Sequence, residues 1–135
     1  MAAYHALLGF TGWTLLLVIG VFLYRGIRFL GGTPINSWPR GYKPVDDAPL
    51  VKRMEDAHAN CLENLPLFAV IVLSAGLLGR LDAIAALAPF VLYARIGQSL
   101  VHLIGTGKFL VLVRASFWSV QVVLFVLMLA RLFAP

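Results

Sequence analysis

Residues 6–24 read ALLGFTGWTLLLVIGVFLY, a run without a lysine, arginine, aspartate or glutamate. About 20 apolar residues in helical form cross the ~30 Å hydrocarbon core of a bilayer, and this run is long enough. A secretory signal peptide would open on a positive segment and close on a small-residue cleavage site. Neither is visible, so the segment is expected to be a retained first membrane helix. Composition agrees. Of the 135 residues, 61% are hydrophobic and 13% charged, whereas soluble domains carry about a quarter charged residues. A soluble chain this short has too little interior to bury that much apolar surface, so lipid must be part of the solvent. The length allows one domain.

Three further apolar stretches follow. We expect helices over about 5–30, 50–79, 83–104 and 109–133, which is an all-α integral membrane four-helix bundle in a single domain over 1–135. Gly79-Arg80-Leu81-Asp82 and Gly105-Thr106-Gly107-Lys108 are tight connections, so consecutive helices should be antiparallel neighbours. Residues 31–49 hold glycines, prolines and the pair Asp46-Asp47, the composition of an irregular surface loop. Pro66 and Pro89 fall inside the second and third helices, where membrane helices tolerate a kink.

Positive residues set the orientation. Arg25, Arg28, Arg40, Lys43, Lys52 and Arg53 surround the first loop, Lys108 and Arg114 the third, and the opposite side has only Arg80 and Arg131. Both termini are therefore expected outside, with the first and third loops cytoplasmic. The net charge of +5 does not point to nucleic acid, because the cations sit at helix ends where lipid headgroups meet them. One cysteine, Cys61, excludes an internal disulfide framework. No metal-ligand spacing and no glycine-rich phosphate loop is present.

A charge near the middle of a membrane helix costs about 2.5–3.5 kcal/mol on insertion scales, so it faces protein and marks a site. Arg53, Asp56, Asn60 and Glu63 follow one another at i, i+3, i+7 and i+10, on one face of the second helix. Arg95, Gln98 and His102 repeat the pattern in the third, and Arg114 enters the fourth from the same side. Polar groups of several helices thus converge at one depth. Arginines bind carboxylates and phosphates through paired hydrogen bonds, and a ligand with several carboxylates fits such a lining. A plainer reading stands beside this one. Glu63 facing Arg95 or Arg114 is then a structural ion pair, Asn60 an interhelical hydrogen bonder, and His102 a satisfied interior histidine. His58 lies off the main stripe, placed to cap or brace the loop. Trp13, Trp38 and Trp118 suit interface anchoring or packing.

The second helix reads Ala57-His58-Ala59-Asn60-Cys61-Leu62-Glu63-Asn64-Leu65-Pro66-Leu67-Phe68. This closely resembles the signature of the superfamily of membrane-associated proteins in eicosanoid and glutathione metabolism. The resemblance implies four helices per subunit, a homotrimer, and glutathione bound between subunits as co-substrate. It implies glutathione transfer to lipophilic electrophiles or reduction of lipid hydroperoxides. Asn60 and Glu63 match the family's glutathione-contacting pair, Arg53 a basic residue upstream, and Arg95 a basic residue of the third helix. His102 stands where several members have a tyrosine that contacts glutathione, and Gln98 shares its face. Arg114, followed by Ala115 and Ser116, resembles the arginine that holds the glutathione thiolate, the catalytic role. One departure is marked. Asp56 stands where an arginine is common, and beside Glu55 it would repel the carboxylates of glutathione.

The expected function is that of a membrane-bound glutathione-dependent transferase or peroxidase, with membrane lipid and a lipophilic small molecule as partners and no nucleic acid. The alternative, which Asp56 favours, is a non-catalytic protein of the same fold that binds lipid or serves as an accessory subunit of a membrane complex. A small four-helix exporter would need an acidic residue in the first helix, and none precedes Arg25. The compact loops suggest a bacterial inner membrane.

Overall fold

A computed structural model describes residues 1–134 of the chain. The helices are α1 (Ala2–Leu30), α2 (Pro49–Leu77), α3 (Leu81–Ala85), α4 (Ala88–Ile104) and α5 (Lys108–Phe133), and no strand occurs among the described residues. α3 and α4 together make one span, so four stretches, Ala2–Leu30, Pro49–Leu77, Leu81–Ile104 and Lys108–Phe133, are long and apolar enough to cross a membrane.

The two expected kinks behave differently. α2 runs through Pro66 without interruption. At the other proline the third span breaks: α3 stops at Ala85, two residues form a turn, and α4 restarts with Pro89 in its first turn. Proline lacks the N–H that a helix interior needs but suits a first turn, where that donor would have no partner. Pro49 opens α2 for the same reason.

α1 turns one stripe inward, with Ala3, Ala6, Phe10, Leu17 and Val21 buried at the spacing of an amphipathic helix. Phe68 of α2 lies between Phe10 and Phe125, with ring centroids 5.9 and 6.1 Å away. α4 packs against α1, α2 and α5. A side chain at Gly9 would run into Leu92 of α4, and one at Gly20 into Met54 of α2. Glycine at these two positions leaves room for the ends of the Leu92 and Met54 side chains, and small residues at helix contacts are common in membrane proteins. Leu8, Leu15, Phe22, Leu73, Val123 and Leu127 point outward, where acyl chains or another subunit would cover them.

The two ends of the bundle are closed differently. At the end holding the termini, Arg80 donates to the carbonyl of Leu132 (3.0 Å) and Arg131 to that of Ala83 (3.2 Å). These guanidiniums satisfy backbone acceptors near helix ends and between them. At the other end lies the long first loop. The sequence suggested an irregular loop, and the structure adds one 3-10 turn at Ile35–Ser37 and a set of anchors. Asp47 is buried and accepts from the Trp38 indole N–H at 3.0 Å. The Tyr24 hydroxyl accepts from the backbone N–H of Ala48 at 3.0 Å. Gly32 and Gly41 take positive φ, 97° and 80°, which glycine adopts without steric cost.

Arg28 adds a hydrogen bond to Asp46, and that bond holds the Asp46 carboxyl below its ordinary pKa. A carboxylate depressed in the folded state contributes its attachment above the unfolded pKa, near 4, and loses it as pH falls through the folded value. The loop is therefore expected to resist proteolysis equally from pH 5 to 8 and to become cleavable in more acid solution. In Arg28→Met the loop should be cleaved already at neutral pH. Equal cleavage of both proteins at every pH would show that the Arg28 bond does not hold the loop.

Candidate functional site

The polar residues singled out by the sequence fall between the first-loop end and the middle of the bundle, and they do not form a single cluster. Asn60, Gln98, His102 and Arg114 come together from α2, α4 and α5 and, with Val111, Ala115 and Trp118, line a cavity of about 260 Å³. Gln98 and His102 are buried, and Asn60 and Arg114 are partly buried. Asn60 donates back to the carbonyl of Asp56 at 2.8 Å, closing its own helical turn. One terminal nitrogen of Arg114 is buried without an acceptor. A buried donor without a partner carries a desolvation cost of about 1–3 kcal/mol, more when charged, so this group is poised for an anion.

The other three candidates lie outside that cavity. Arg53 donates from Nε to the carbonyl of Leu103 at 2.8 Å, and so caps the C-terminal end of α4, where backbone acceptors lack helical partners. Glu63 is exposed on the outer face of α2 and forms no ion pair among the described residues. The Glu63 pairing with Arg95 or Arg114 considered from the sequence is thus not made within one chain. Arg95 is completely buried, and none of its three guanidinium nitrogens has an acceptor. Its guanidinium carbon lies 5.3 Å from the ring centroid of Phe10, a cation–π contact. Cys61 and Ser99 are buried beside each other, Sγ to Oγ 3.8 Å.

Two contributors were missed from sequence. Gln121 is fully buried, donates to the side-chain oxygen of Gln98 at 2.9 Å and leaves its own oxygen unpartnered. It lies seven residues after Arg114, on the same face of α5, so the helical period that linked Arg95 to His102 would have found it. Trp118 forms a wall of the cavity, having been given only an anchoring or packing role. Asp56 is not a bare carboxylate, since Lys43 of the first loop forms an ion pair with it. A second cavity of about 370 Å³ lies under the loop, with Arg25, Lys43, Glu55, Asp56 and His58 in its lining. Arg25 pairs with Glu55 there. His58 thus sits beneath the loop, the region where the sequence placed it as a brace. No group of three or more metal-ligating side chains occurs among the described residues.

Four apolar spans, three of which line a polar, cation-bearing cavity, define a multi-pass integral membrane protein in contact with lipid. The family model described as the MAPEG family matches residues 1–134, and the chain belongs to that family. The family contains glutathione transferases and peroxidases and also non-catalytic members. Neither the curated proteins nor the solved structures contain a match to this chain.

Proposed function

We propose that this protein is a glutathione-dependent transferase or peroxidase acting on lipophilic electrophiles or lipid hydroperoxides. The observation that carries the reading is the cavity that joins Asn60, Gln98 and His102 to the unpartnered nitrogen of Arg114. A thiol of pKa near 8.5 is mostly protonated at neutral pH. A guanidinium beside the sulfur stabilises the thiolate and raises its population, with the proton released to solvent. The thiolate then attacks the electrophilic carbon of a molecule arriving from lipid, the C–S bond forms, and the leaving group departs with its electron pair. In the peroxidase variant two glutathiones are oxidised to the disulfide while the hydroperoxide becomes an alcohol and water. The protein supplies hydrogen bonds and charge, and no nucleophile of its own.

The same reading includes a homotrimer. The cavity of one chain, about 260 Å³, is below the usual range for small-molecule pockets, about 300–1,000 Å³. Glu63 is exposed on an apolar span and forms no ion pair among the described residues, and an intramembrane carboxylate normally faces protein. A second copy over this face would cover Glu63 and enlarge the site. The distribution of cations around the first and third loops favours a cytoplasmic site, in a bacterial inner membrane, with both termini outside.

Calorimetry of the detergent-purified protein tests the proposal. Saturable glutathione binding is expected, reduced at least tenfold in Glu63→Ala. A native protein that binds no glutathione, yet melts cooperatively, would support the second reading: a non-catalytic member that binds lipid or serves as an accessory subunit. That reading draws its support from the acid at position 56.

A further inference from the structure

The ion pair between Lys43 and Asp56 joins two parts of the molecule that the sequence keeps apart. Lys43 belongs to the first loop and Asp56 to the second turn of α2. Both are partly exposed and both line the cavity under the loop. The next turn of α2 leads directly into the other cavity, since Asn60 donates to the Asp56 carbonyl and itself lines that wall. His102 of α4 lines the same cavity as Asn60. The pair therefore lies in the lining of the cavity under the loop, one helical turn of α2 from the wall of the other.

An ammonium carries three protons. One of Lys43 goes to Asp56 and a second to the carbonyl of Lys52 at 3.3 Å. No acceptor among the described residues takes the third. Asp56 alone would repel an anion, and Lys43 cancels that charge while offering a free charged donor. The loop that carries Lys43 is fastened on both sides of it, through Trp38 on Asp47 and through Arg28 on Asp46. The donor is thus held at a fixed place, and a positioned donor binds at lower entropic cost than a free lysine on a mobile loop.

We infer that Lys43 is a binding residue for a carboxylate of the thiol co-substrate, held by Asp56 one turn of α2 before Asn60. The inference rests on the glutathione reading and adds to it a contact delivered by the first loop. It also assigns Asp56 a role: it positions Lys43 and moderates its charge, so that the affinity for the anion is set by the pair.

A purely structural pair predicts that losing either partner loosens the loop and moves glutathione affinity in the same direction. A ligand-binding Lys43 predicts opposite directions. Lys43→Met leaves Asp56 uncovered and should weaken binding by about tenfold or more. Asp56→Asn leaves Lys43 its full charge and should strengthen binding several-fold. Lys43→Arg should retain most of the native affinity. Calorimetry with glutathione on the four proteins, each shown to keep a cooperative melt without ligand, reads the outcome. Opposite signs with rescue by arginine support the inference. Same-sign changes, or an unchanged Lys43→Met, overturn it while leaving the glutathione reading intact. Absence of binding by the native protein overturns both.

Discussion

Arg95→Met is expected to raise the melting temperature of the detergent-solubilised protein by about 5 °C and to weaken glutathione binding by roughly tenfold. The two changes have one cause. Arg95 is fully buried in the middle of α4, and its guanidinium has no hydrogen-bond acceptor among the described residues. Removing a cation from water costs several kcal/mol even after relaxation, and replacing buried ionic groups by apolar ones of similar volume often stabilises by about 1–4 kcal/mol. Methionine fills irregular space and keeps a sulfur contact with an aromatic ring, so Phe10 retains a neighbour. What is lost is a positive charge in a low-dielectric interior, where its field acts over a long distance. Arg95 does not line the cavity, so its effect on an anionic ligand is electrostatic. Glu63 of α2 forms no ion pair among the described residues, so any attraction it has to the Arg95 charge is read by a second comparison. Glu63→Gln should lower the melting temperature of the native protein and leave that of Arg95→Met almost unchanged. A fall in melting temperature on Arg95→Met would mean that the arginine has a partner in the membrane-embedded protein, and the trade between stability and binding would be lost.

The fold was legible from residues 6–24 and from the three later apolar stretches, because a membrane helix must satisfy its backbone internally and announces itself by length and hydropathy. Helix boundaries inside the third span were less legible. Pro89 signalled a disturbance, but the sequence does not say that the chain would stop at Ala85 and restart at Ala88 in place of a kink. The outcome depends on how Ile84 and Val91 reach the core on either side of the break.

The site was legible as a set of residue types on helical faces, and less so as an assembly. Spacing places Arg95, Gln98 and His102 on one face, yet the cavity receives only the last two. A face wider than one residue turns part of itself toward α1, where Arg95 meets Phe10, and part toward α5, where Gln98 meets Gln121. Arg53 illustrates another limit. Its position suits a ligand, but its guanidinium reaches a helix-terminal carbonyl first. The pairing of Lys43 with Asp56 was beyond the sequence altogether, because it depends on the path of a loop whose anchors, Trp38 and Asp47, carry no periodic signal.

Arg114→Ala is expected to lower the rate of glutathione transfer to a chloronitrobenzene at neutral pH by roughly 100-fold, the usual loss when one donor that stabilises a developing or resident anion is removed. Binding should change much less, because Asn60, Gln98 and His102 remain. The pH profile distinguishes this from a packing defect. If Arg114 acts by holding the thiolate, its loss raises the pKa of the bound thiol, so the variant's rate climbs with pH and approaches the native rate where both thiols are ionised. A packing defect depresses the rate by the same factor at every pH. Arg114→Lys should fall between the two, since lysine keeps the charge but not the planar fork. Ultraviolet absorbance of the thiolate, measured with saturating glutathione and no electrophile, should be lower in Arg114→Ala than in the native protein. The position of the side chain explains why the effect should concentrate on the sulfur. Arg114 lies in the second turn of α5, partly buried, with a buried nitrogen that no acceptor among the described residues takes, and Trp118 and Ala115 line the same cavity. Arg114 is the one guanidinium in that lining, and a charge-assisted hydrogen bond from it to an anion is strong. A native thiolate population no higher than that of free glutathione at the same pH would remove Arg114 from the mechanism, whatever the rate.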